Sequence, residues 1–413
     1  MATIKAFRGY RPAKELAVKV ASRPYDVLNR EEAVAESNPY SYLHITRSEI
    51  DLPEVDNPYD KIVYKTAKKN FEQFVKDGVL KQDGVNCLYV YAQTMNGRQQ
   101  IGLMTCTSIE DYQNDIIKKH EFTRPVKEQD RINHIATTRL HSGPVLMAYP
   151  QVNAIDAVME QVTRRQTPEY DFTAEDGIQH TLWVIDDVSI IQTLVDLFDS
   201  EVEAIYIADG HHRAASSTKV GLQMREENEN HTGKEGYNYF LSVLFPDNQL
   251  QIIDYNRVVK DLNGLSSDEF LQEIAKKFEV TEMGMAQVKP KQPYTFGMYL
   301  EGEWYELKAR KGTYNTTDPI ESLDISVLSN NLIAPILGIK DQRTDDRIDF
   351  VGGIRGVKEL EKRVNSGEMQ VAFSIYAVGI QQLIDVANSG NVMPPKTTWF
   401  EPKLRSGLVT HKF

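Results

Sequence analysis

One short stretch of this sequence concentrates side chains that can do chemistry. Residues 209–213 read Asp-Gly-His-His-Arg, and they follow an apolar run typical of a buried strand at residues 204–208. A helical pattern over residues 214–226 comes directly after them. Backbone N–H groups at a helix start lack partners and the helix dipole is positive there, so such a junction attracts anions. The stretch therefore predicts a phosphate-binding loop.

Each residue of this loop has a role that its chemistry suggests. Gly210 lets a ligand approach the backbone closely, and Arg213 can donate two parallel hydrogen bonds to phosphate oxygens. His211 and His212 can donate to phosphate or carry protons, and Asp209 can bind Mg²⁺ or orient a histidine. Two other interpretations are a simple helix N-cap at Asp209 with solvated histidines, and a zinc site on the two histidines. We favour the phosphate site, since neighbouring histidines rarely face one metal.

Two segments before the loop carry further candidates. Glu121 lies in a charged segment at residues 118–131. A carboxylate beside an apolar wall can have its pKa raised toward neutrality, so Glu121 is a candidate general base. The alternative is a charged, solvated helix end. Tyr25 and Asp26 lie in residues 22–27, which either line the site or form only a turn.

The tail, residues 393–413, carries the last candidates. Its prolines oppose helix formation, so we expect an extended segment. Lys396 and Lys403 add positive charge, and Thr397 and Ser406 add hydroxyl donors. Such a segment suits closure over a polyphosphate. The alternative is a C-terminal strand docked on the body of the protein, with its lysines in water.

The bulk composition narrows the class of protein. The chain has 413 residues and a net charge of −12, and no block of lysine and arginine is present. Binding to nucleic acid or to an anionic membrane surface is therefore disfavoured. No apolar segment suits a signal peptide or a membrane span. The two cysteines, Cys87 and Cys106, suit a reducing compartment. We expect a cytoplasmic protein that acts on small molecules.

Strand-like and helix-like patterns alternate along the chain, so the sequence predicts a mixed α/β fold. Asn96-Gly97 gives the strongest hairpin signal, and Ser108 with Asp111 resembles a capping box. A change of composition near residue 260 suggests three regions. They are an N-terminal and catalytic α/β region at 1–259, an inserted α/β subdomain at 260–345, and a C-terminal α/β segment at 346–413 whose tail returns to the site.

Several stretches together resemble a known bacterial family, the domain-of-unknown-function family numbered one thousand and fifteen. These stretches are residues 23–27, 119–121, 130–131, 177–183, 208–213, 393–396 and 406–408. The central Asp-Gly-His-His-Arg motif of that family is similar to the one in free L-serine kinases of the ParB/sulfiredoxin-like class. Those enzymes make O-phospho-L-serine with ATP, ADP or pyrophosphate as phosphoryl donor.

The resemblance implies a ParB/sulfiredoxin-like catalytic core with additional α/β subdomains. It implies a Mg²⁺-dependent phosphotransferase that acts on the hydroxyl of free L-serine. Glu121 would be the base, Asp209 would lie at the metal or the reacting hydroxyl, and residues 210–213 would hold the phosphates. Two other functions stay open. They are a ParB-like nucleotide-binding module without transfer, and a metal-dependent hydrolase centred on Asp209 and His211.

Overall fold

A computed structural model describes residues 1–413, and its contacts divide the chain into two compact units. The first unit contains Met1–Leu250 and Pro402–Phe413, and the second contains Gln251–Glu401. The sequence predicts changes of region at residues 260 and 346. Residues 402–413 fold with the first unit although they follow the second unit in the chain, and we call them the C-terminal segment.

The first unit is a mixed α/β structure built on a nine-stranded sheet. Its strands are β1 (Ile4–Lys5), β2 (Tyr10–Pro12), β3 (Leu80–Gln82), β4 (Leu88–Met95), β5 (Arg98–Ser108), β6 (Ile117–Lys118), β7 (Leu140–His141), β8 (Val145–Tyr149), β9 (Tyr170–Thr173), β10 (Gln179–Ile185), β11 (Ile205–Asp209) and β12 (Tyr239–Pro246). Its helices are α1 (Ala17–Val20), α2 (Arg30–Glu36), α3 (Leu43–Thr46), α4 (Lys61–Lys76), α5 (Ile109–Gln113), α6 (Pro125–Thr138), α7 (Asn153–Arg165), α8 (Val188–Glu201) and α9 (His211–Glu227).

The order of strands in this sheet places the chemistry-bearing loop near one edge. The order is β6-β11-β8-β12-β5-β4-β10-β9, and β1 also pairs with β5. Strand β11 runs parallel to β6 and antiparallel to β8. Apolar side chains of β8, β11, α7 and α8 pack into one buried core, which explains why β8 is an unbroken apolar run. The C-terminal segment adds a short strand, His411–Lys412, beside β7.

Several sequence predictions agree with these bounds. Strands β8 and β10 and helix α7 begin and end where the hydrophobic patterns predicted. The hairpin between β4 and β5 is confirmed, and its turn residues Asn96 and Gly97 have φ of 52° and 78°. Both values lie in the left-handed region that this turn needs.

Other predictions were wrong for identifiable reasons. Ser108 caps α5, but Asp111 does not complete a capping box, because it accepts a hydrogen bond from the backbone N–H of Thr3 at 2.6 Å. Helix α9 begins at His211 and so includes residues 211–213, which the sequence pattern placed in a loop before the helix. Helix α6 was missed, since its charged sequence reads as a solvated loop although Glu128 and Arg131 are buried in it.

The second unit contains a six-stranded antiparallel sheet in the order β15-β17-β16-β19-β14-β18. Its strands are β13 (Ile252–Ile253), β14 (Tyr255–Val259), β15 (Phe278–Gly284), β16 (Thr295–Leu300), β17 (Glu303–Ala309), β18 (Ile348–Gly352), β19 (Val371–Ile375) and β20 (Trp399–Phe400). Its helices are α10 (Ser267–Ala275), α11 (Asp324–Leu328), α12 (Val357–Asn365) and α13 (Ile380–Asn388), with a π-helical turn at Ser329–Ile333. Because β19 pairs with both β14 and β16, residues on both sides of position 346 share one sheet. No helix of the protein is both long and apolar enough to cross a membrane.

Helix α9 packs tightly at Gly221, which gives a first prediction. A Cβ atom at this position would lie 2.3 Å from the carbonyl oxygen of Tyr237 and 2.8 Å from Ile109 Cδ1. Alanine favours helix by about 1 kcal/mol over glycine at an exposed site, but here Gly221→Ala should lower the free energy of unfolding by about 1–3 kcal/mol because the site is overpacked. Urea denaturation measures this. Gly84→Ala is the control, since no atom lies within 4 Å of its Cβ position; stabilisation by Gly221→Ala would contradict the packing.

Candidate functional site

Strand β11 and helix α9 meet at Gly210 and build the centre of the site. Ile205 and Ile207 anchor β11 in the core, and the pairing register with β8 shifts between Ile207 and Asp209. Such a bulge changes the direction of the following side chain. Gly210 is the helix N-cap with φ 98° and ψ 30°, and no side chain caps the helix. Asp209 is therefore not an N-cap, and the first N–H groups of α9 keep the capacity to bind an anion.

Asp209 lies between two cations. Its Oδ2 atom is 3.3 Å from Lys403 Nζ and 3.7 Å from Arg213 Nη2. Burial by itself would raise the pKa of Asp209, but Lys403 and Arg213 outweigh this effect and bring the pKa to about 2. The carboxylate is thus ionised at neutral pH. The C-terminal segment, which supplies Lys403, is a part of the site.

Arg213 is largely buried beneath the loop. Its side chain is 9% exposed, its Nη1 donates to the carbonyl oxygen of Pro144, and its Nη2 lies 3.9 Å from Asp26 Oδ2. Burial opposes the charged form, but the carboxylates of Asp26 and Asp209 raise the pKa of Arg213. Its Nε atom is buried without a hydrogen-bond partner. The edge formed by Nε and Nη2 is the one that binds phosphate oxygens bidentately.

His211 and Glu121 face one another. His211 Nδ1 lies 3.7 Å from Glu121 Oε2, and the edge of the His120 ring meets the His211 ring at a centroid distance of 4.5 Å. Burial and the neighbouring His120 ring hold the pKa of His211 well below its usual range, so His211 is neutral. Its Nε2 atom is buried without a partner. Glu121 is 41% exposed and can therefore meet a ligand.

His212 points to a different partner. Its Nε2 atom accepts a hydrogen bond from the backbone N–H of Arg124 at 2.9 Å. Burial lowers the pKa of His212, so the ring is neutral and its proton resides on Nδ1. His211 and His212 thus diverge, and no group of three or more His, Cys, Asp and Glu side chains could hold a metal ion. The geometry gives no support to a zinc site on these two histidines.

A small cavity lies behind the first turn of α9. Tyr25, Arg213 and Ser406 line it together with Arg131 and His134. Its volume of about 20 Å³ suffices for roughly one water molecule or one hydroxyl-sized group. Two of these lining residues have a buried side-chain nitrogen without a hydrogen-bond partner, His134 Nδ1 and Arg213 Nε. The Arg131 guanidinium stacks on the Tyr25 ring at 4.1 Å and fixes its orientation.

The structure gathers most predicted site residues in the first unit and leaves two in the second. The first unit holds Tyr25, Asp26, Glu121, Asp209, Gly210, His211, His212, Arg213, Lys403 and Ser406. Lys396 and Thr397 belong to the second unit, where Lys396 has φ 55° and Thr397 Oγ1 donates to the carbonyl oxygen of Pro394 at 2.6 Å. Phosphate binding by Lys396 and substrate lining by Thr397 stay predictions.

Sequence reasoning missed an ion pair that joins helix α6 to helix α9, the helix that begins in the site. Lys219 forms an ion pair with Glu128, which also accepts a hydrogen bond from Thr123. Burial opposes ionisation of Glu128, but Lys219 and Thr123 lower its pKa. Lys219 follows His212 by two helical turns, so its spacing on α9 was the available signal.

Comparison with known proteins identifies the family. The family described as "Protein of unknown function (DUF1015)" matches residues 4–326. The chain belongs to this family. No curated protein matches this member of the DUF1015 family. The family predicted from the motifs is therefore confirmed.

Some solved structures resemble this DUF1015 protein at low sequence identity. A conserved hypothetical protein from Pyrococcus furiosus is 14% identical, with a TM-score of 0.37 and coverage of 76% of this chain and 94% of that one. A free serine kinase in complex with AMP is 14% identical, with a TM-score of 0.38 and coverage of 75% and 90%. SbnI with a C-terminal truncation from Staphylococcus aureus is 11% identical, with a TM-score of 0.38 and coverage of 72% and 82%.

The left-handed backbone at Gly210 gives a second prediction. Gly210→Ala should destabilise the protein by about 1–2 kcal/mol because of its φ, and its Cβ would press on Arg213 Cζ at 3.0 Å. Gly97→Ala is the matched control, since Gly97 also has positive φ but open space around it. Both variants should show lower thermal stability, whereas only Gly210→Ala should lose affinity for pyrophosphate in calorimetric titration. Equal affinities in the two variants would contradict the coupling of Gly210 to Arg213.

The cations around Asp209 give a third prediction. A pKa of about 2 lies below the ordinary value, so Asp209 contributes about 2 kcal/mol of stability at neutral pH. This contribution is present above roughly pH 4 and is lost as the pH falls through about 2. Lys403→Met should remove about half of this stabilisation at pH 7. Urea denaturation should show that the difference in unfolding free energy between the wild type and this variant becomes smaller between pH 4 and pH 2. The exposed Lys69→Met is the control; a difference that is constant with pH would contradict the assignment.

Proposed function

We propose that this protein is a phosphotransferase that moves a phosphoryl group from ATP, ADP or pyrophosphate to the hydroxyl of free L-serine. The observation that supports the proposal best is the uncapped start of α9 beside the partnerless Nε of buried Arg213. Backbone N–H groups, a positive helix end and a guanidinium edge are the elements that recognise phosphate. We place the reaction in the cytoplasm, with no nucleic-acid partner.

The donor phosphates would lie over the first turn of α9. The N–H groups of residues 211–213 would donate to phosphate oxygens, and Arg213 would bind them with its Nε and Nη2 edge. His212 would donate through Nδ1, because its Nε2 is already an acceptor. Lys403 Nζ, at 3.3 Å from Asp209, would add positive charge to the same position.

The acceptor would meet the donor next to Glu121. The serine hydroxyl would give its proton to the Glu121 carboxylate while its oxygen forms a bond to the terminal phosphorus. The bond from that phosphorus to the donor's bridging oxygen would break, and the electron pair would leave with ADP, AMP or phosphate. His211 faces Glu121 at 3.7 Å and would orient it. Phosphoryl transfer requires mainly such positioning and charge neutralisation.

The remaining groups would hold the rest of the serine. Asp26 is 39% exposed beside Arg213 and suits the ammonium group of an amino acid. Tyr25 and Ser406 would line the acceptor. Mg²⁺ binds through one or two carboxylates together with substrate phosphates. Asp209 fits this pattern as a single carboxylate shared with the donor, where the ion would neutralise phosphate charge.

A nucleotide-binding module without transfer would use the same donor residues but would not need Glu121. The fourth prediction separates the two. Purified protein with Mg²⁺, L-serine and ATP, ADP or pyrophosphate in separate reactions should yield O-phosphoserine, detected by mass spectrometry. Glu121→Gln should slow formation by about 10²–10⁴-fold, the usual contribution of a general base, while donor affinity stays unchanged. Glu175→Gln, at an exposed site, is the control.

Arg213 tests the donor site in the same assay. Arg213→Lys keeps the charge but loses the bidentate edge, so donor affinity should fall by about tenfold or more. Circular dichroism verifies that this buried variant is folded. Full activity in Glu121→Gln would refute the assigned base. Absence of product with every donor, from folded wild-type protein that binds a donor, would support the module without transfer.

A further inference from the structure

We infer that Gln93 is a positioning residue for the phosphate site: it holds the backbone of the C-terminal segment so that Lys403 reaches Asp209. The inference rests on the proposed function, in which Lys403 binds donor phosphate. Gln93 lies on β4, and its side chain hydrogen-bonds to Gln100 and to the backbone carbonyl of Lys403. Its effect must therefore pass through Lys403.

Three buried polar residues stand opposite one another on adjacent strands. Gln100 on β5 pairs with Gln93 on β4, and Gln93 pairs with His180 on β10. Directly opposed residues point to the same face of a sheet. Gln93 is 0% exposed, and Gln100 and His180 are each 1% exposed. We call these three side chains the polar row.

Two hydrogen bonds join the polar row to the C-terminal segment, and a third joins His180 Nδ1 to the Tyr91 hydroxyl at 2.7 Å. Gln100 Nε2 donates to Gln93 Oε1 at 3.1 Å, and Gln93 Nε2 donates to the carbonyl oxygen of Lys403 at 3.0 Å. At the other end, Arg405 Nε donates to His180 Nε2 at 3.3 Å. Arg405 is held in turn by an ion pair with Asp176. The polar row thus binds positions 403 and 405 on either side of Leu404.

Burying the polar row inside a sheet costs folding free energy. Buried amides destabilise a fold unless their hydrogen bonds are satisfied, and Gln100 Oε1 is buried without a partner. Two leucines would pack in the same strands without that cost. The one contact that leucine cannot supply is the hydrogen bond to the carbonyl oxygen of Lys403. We therefore explain the glutamine at position 93 by the position that its hydrogen bond gives to the Lys403 backbone.

The position of the Lys403 backbone decides where its ammonium group lies. The side chain is 17% exposed, and its Nζ reaches Asp209 Oδ2 at 3.3 Å. Loss of the Gln93 bond frees the backbone from which this side chain extends. Asp209 would then lose the nearer of its two cations, and a bound phosphate would lose one positive charge.

The test is a double-mutant cycle on pyrophosphate affinity, measured by calorimetric titration of the full chain at pH 7. Gln93→Leu should weaken binding about fivefold and Lys403→Met about tenfold, within the range of measured coupling between contacting residues. In the Lys403→Met background, Gln93→Leu should cause no further loss. A residue that supports the fold only in a general way would weaken binding equally in both backgrounds, and that result would overturn the inference.

Two further variants separate positioning from stability. Gln93→Leu with Gln100→Leu removes both amides, so stability should stay close to that of the wild type while affinity remains low. Gln99→Leu changes an exposed glutamine of the same hairpin and should leave affinity unchanged. Wild-type affinity in the double variant would contradict the role of Gln93.

A ligand-independent readout keeps the inference apart from the proposed function. NMR titration of the Asp209 carboxyl carbon should show a raised pKa in Gln93→Leu, in the same direction as in Lys403→Met. If wild-type protein binds neither pyrophosphate nor nucleotide, the proposed function fails. The Asp209 titration still decides whether Gln93 positions Lys403, since an unchanged pKa in Gln93→Leu would overturn the inference.

Discussion

An alternating set of charges at the junction of β11 and α9 is the constraint on which the site depends. Lys403, Asp209, Arg213 and Asp26 follow one another with separations of 3.3, 3.7 and 3.9 Å. An isolated charge in a protein interior is costly, so each group needs its neighbours. Arg213 can be buried because two carboxylates face it. The same ion pairs join strand β11, helix α9 and the C-terminal segment.

These charges also prepare the junction for an anion. The first turn of α9 has no capping side chain, and the Nε of Arg213 has no partner. A phosphate at this position would meet unpaired N–H groups and two cations that Asp209 already holds in place. Such preorganisation lowers the cost of ordering these groups when the ligand binds. The neutral histidines add a donor at His212 Nδ1 without adding another charge to be buried.

The support of this centre comes from residues far apart in sequence. Gln93 and His180 bind the C-terminal segment, and Glu128 on α6 binds Lys219 on α9. Gln93, Glu128 and Lys219 carry no motif of their own, and His180 lies in a stretch that indicates the family but not this contact. A glutamine in an apolar strand or a glutamate in a charged helix has many ordinary explanations. Only their partners in space reveal what they position.

The sequence by itself determined the family, the mixed α/β class and the bounds of elements such as β8 and α7, because hydrophobic period and local turn chemistry depend on neighbours in the chain. It also located the Asp209–Arg213 loop, since a strand followed by glycine and a helix is a local pattern. Tertiary structure decided that α9 begins at His211, that Asp111 binds Thr3, and that residues 402–413 rejoin the first unit to bring Lys403 to Asp209. Those outcomes depend on contacts between distant segments, whose energies no local pattern contains.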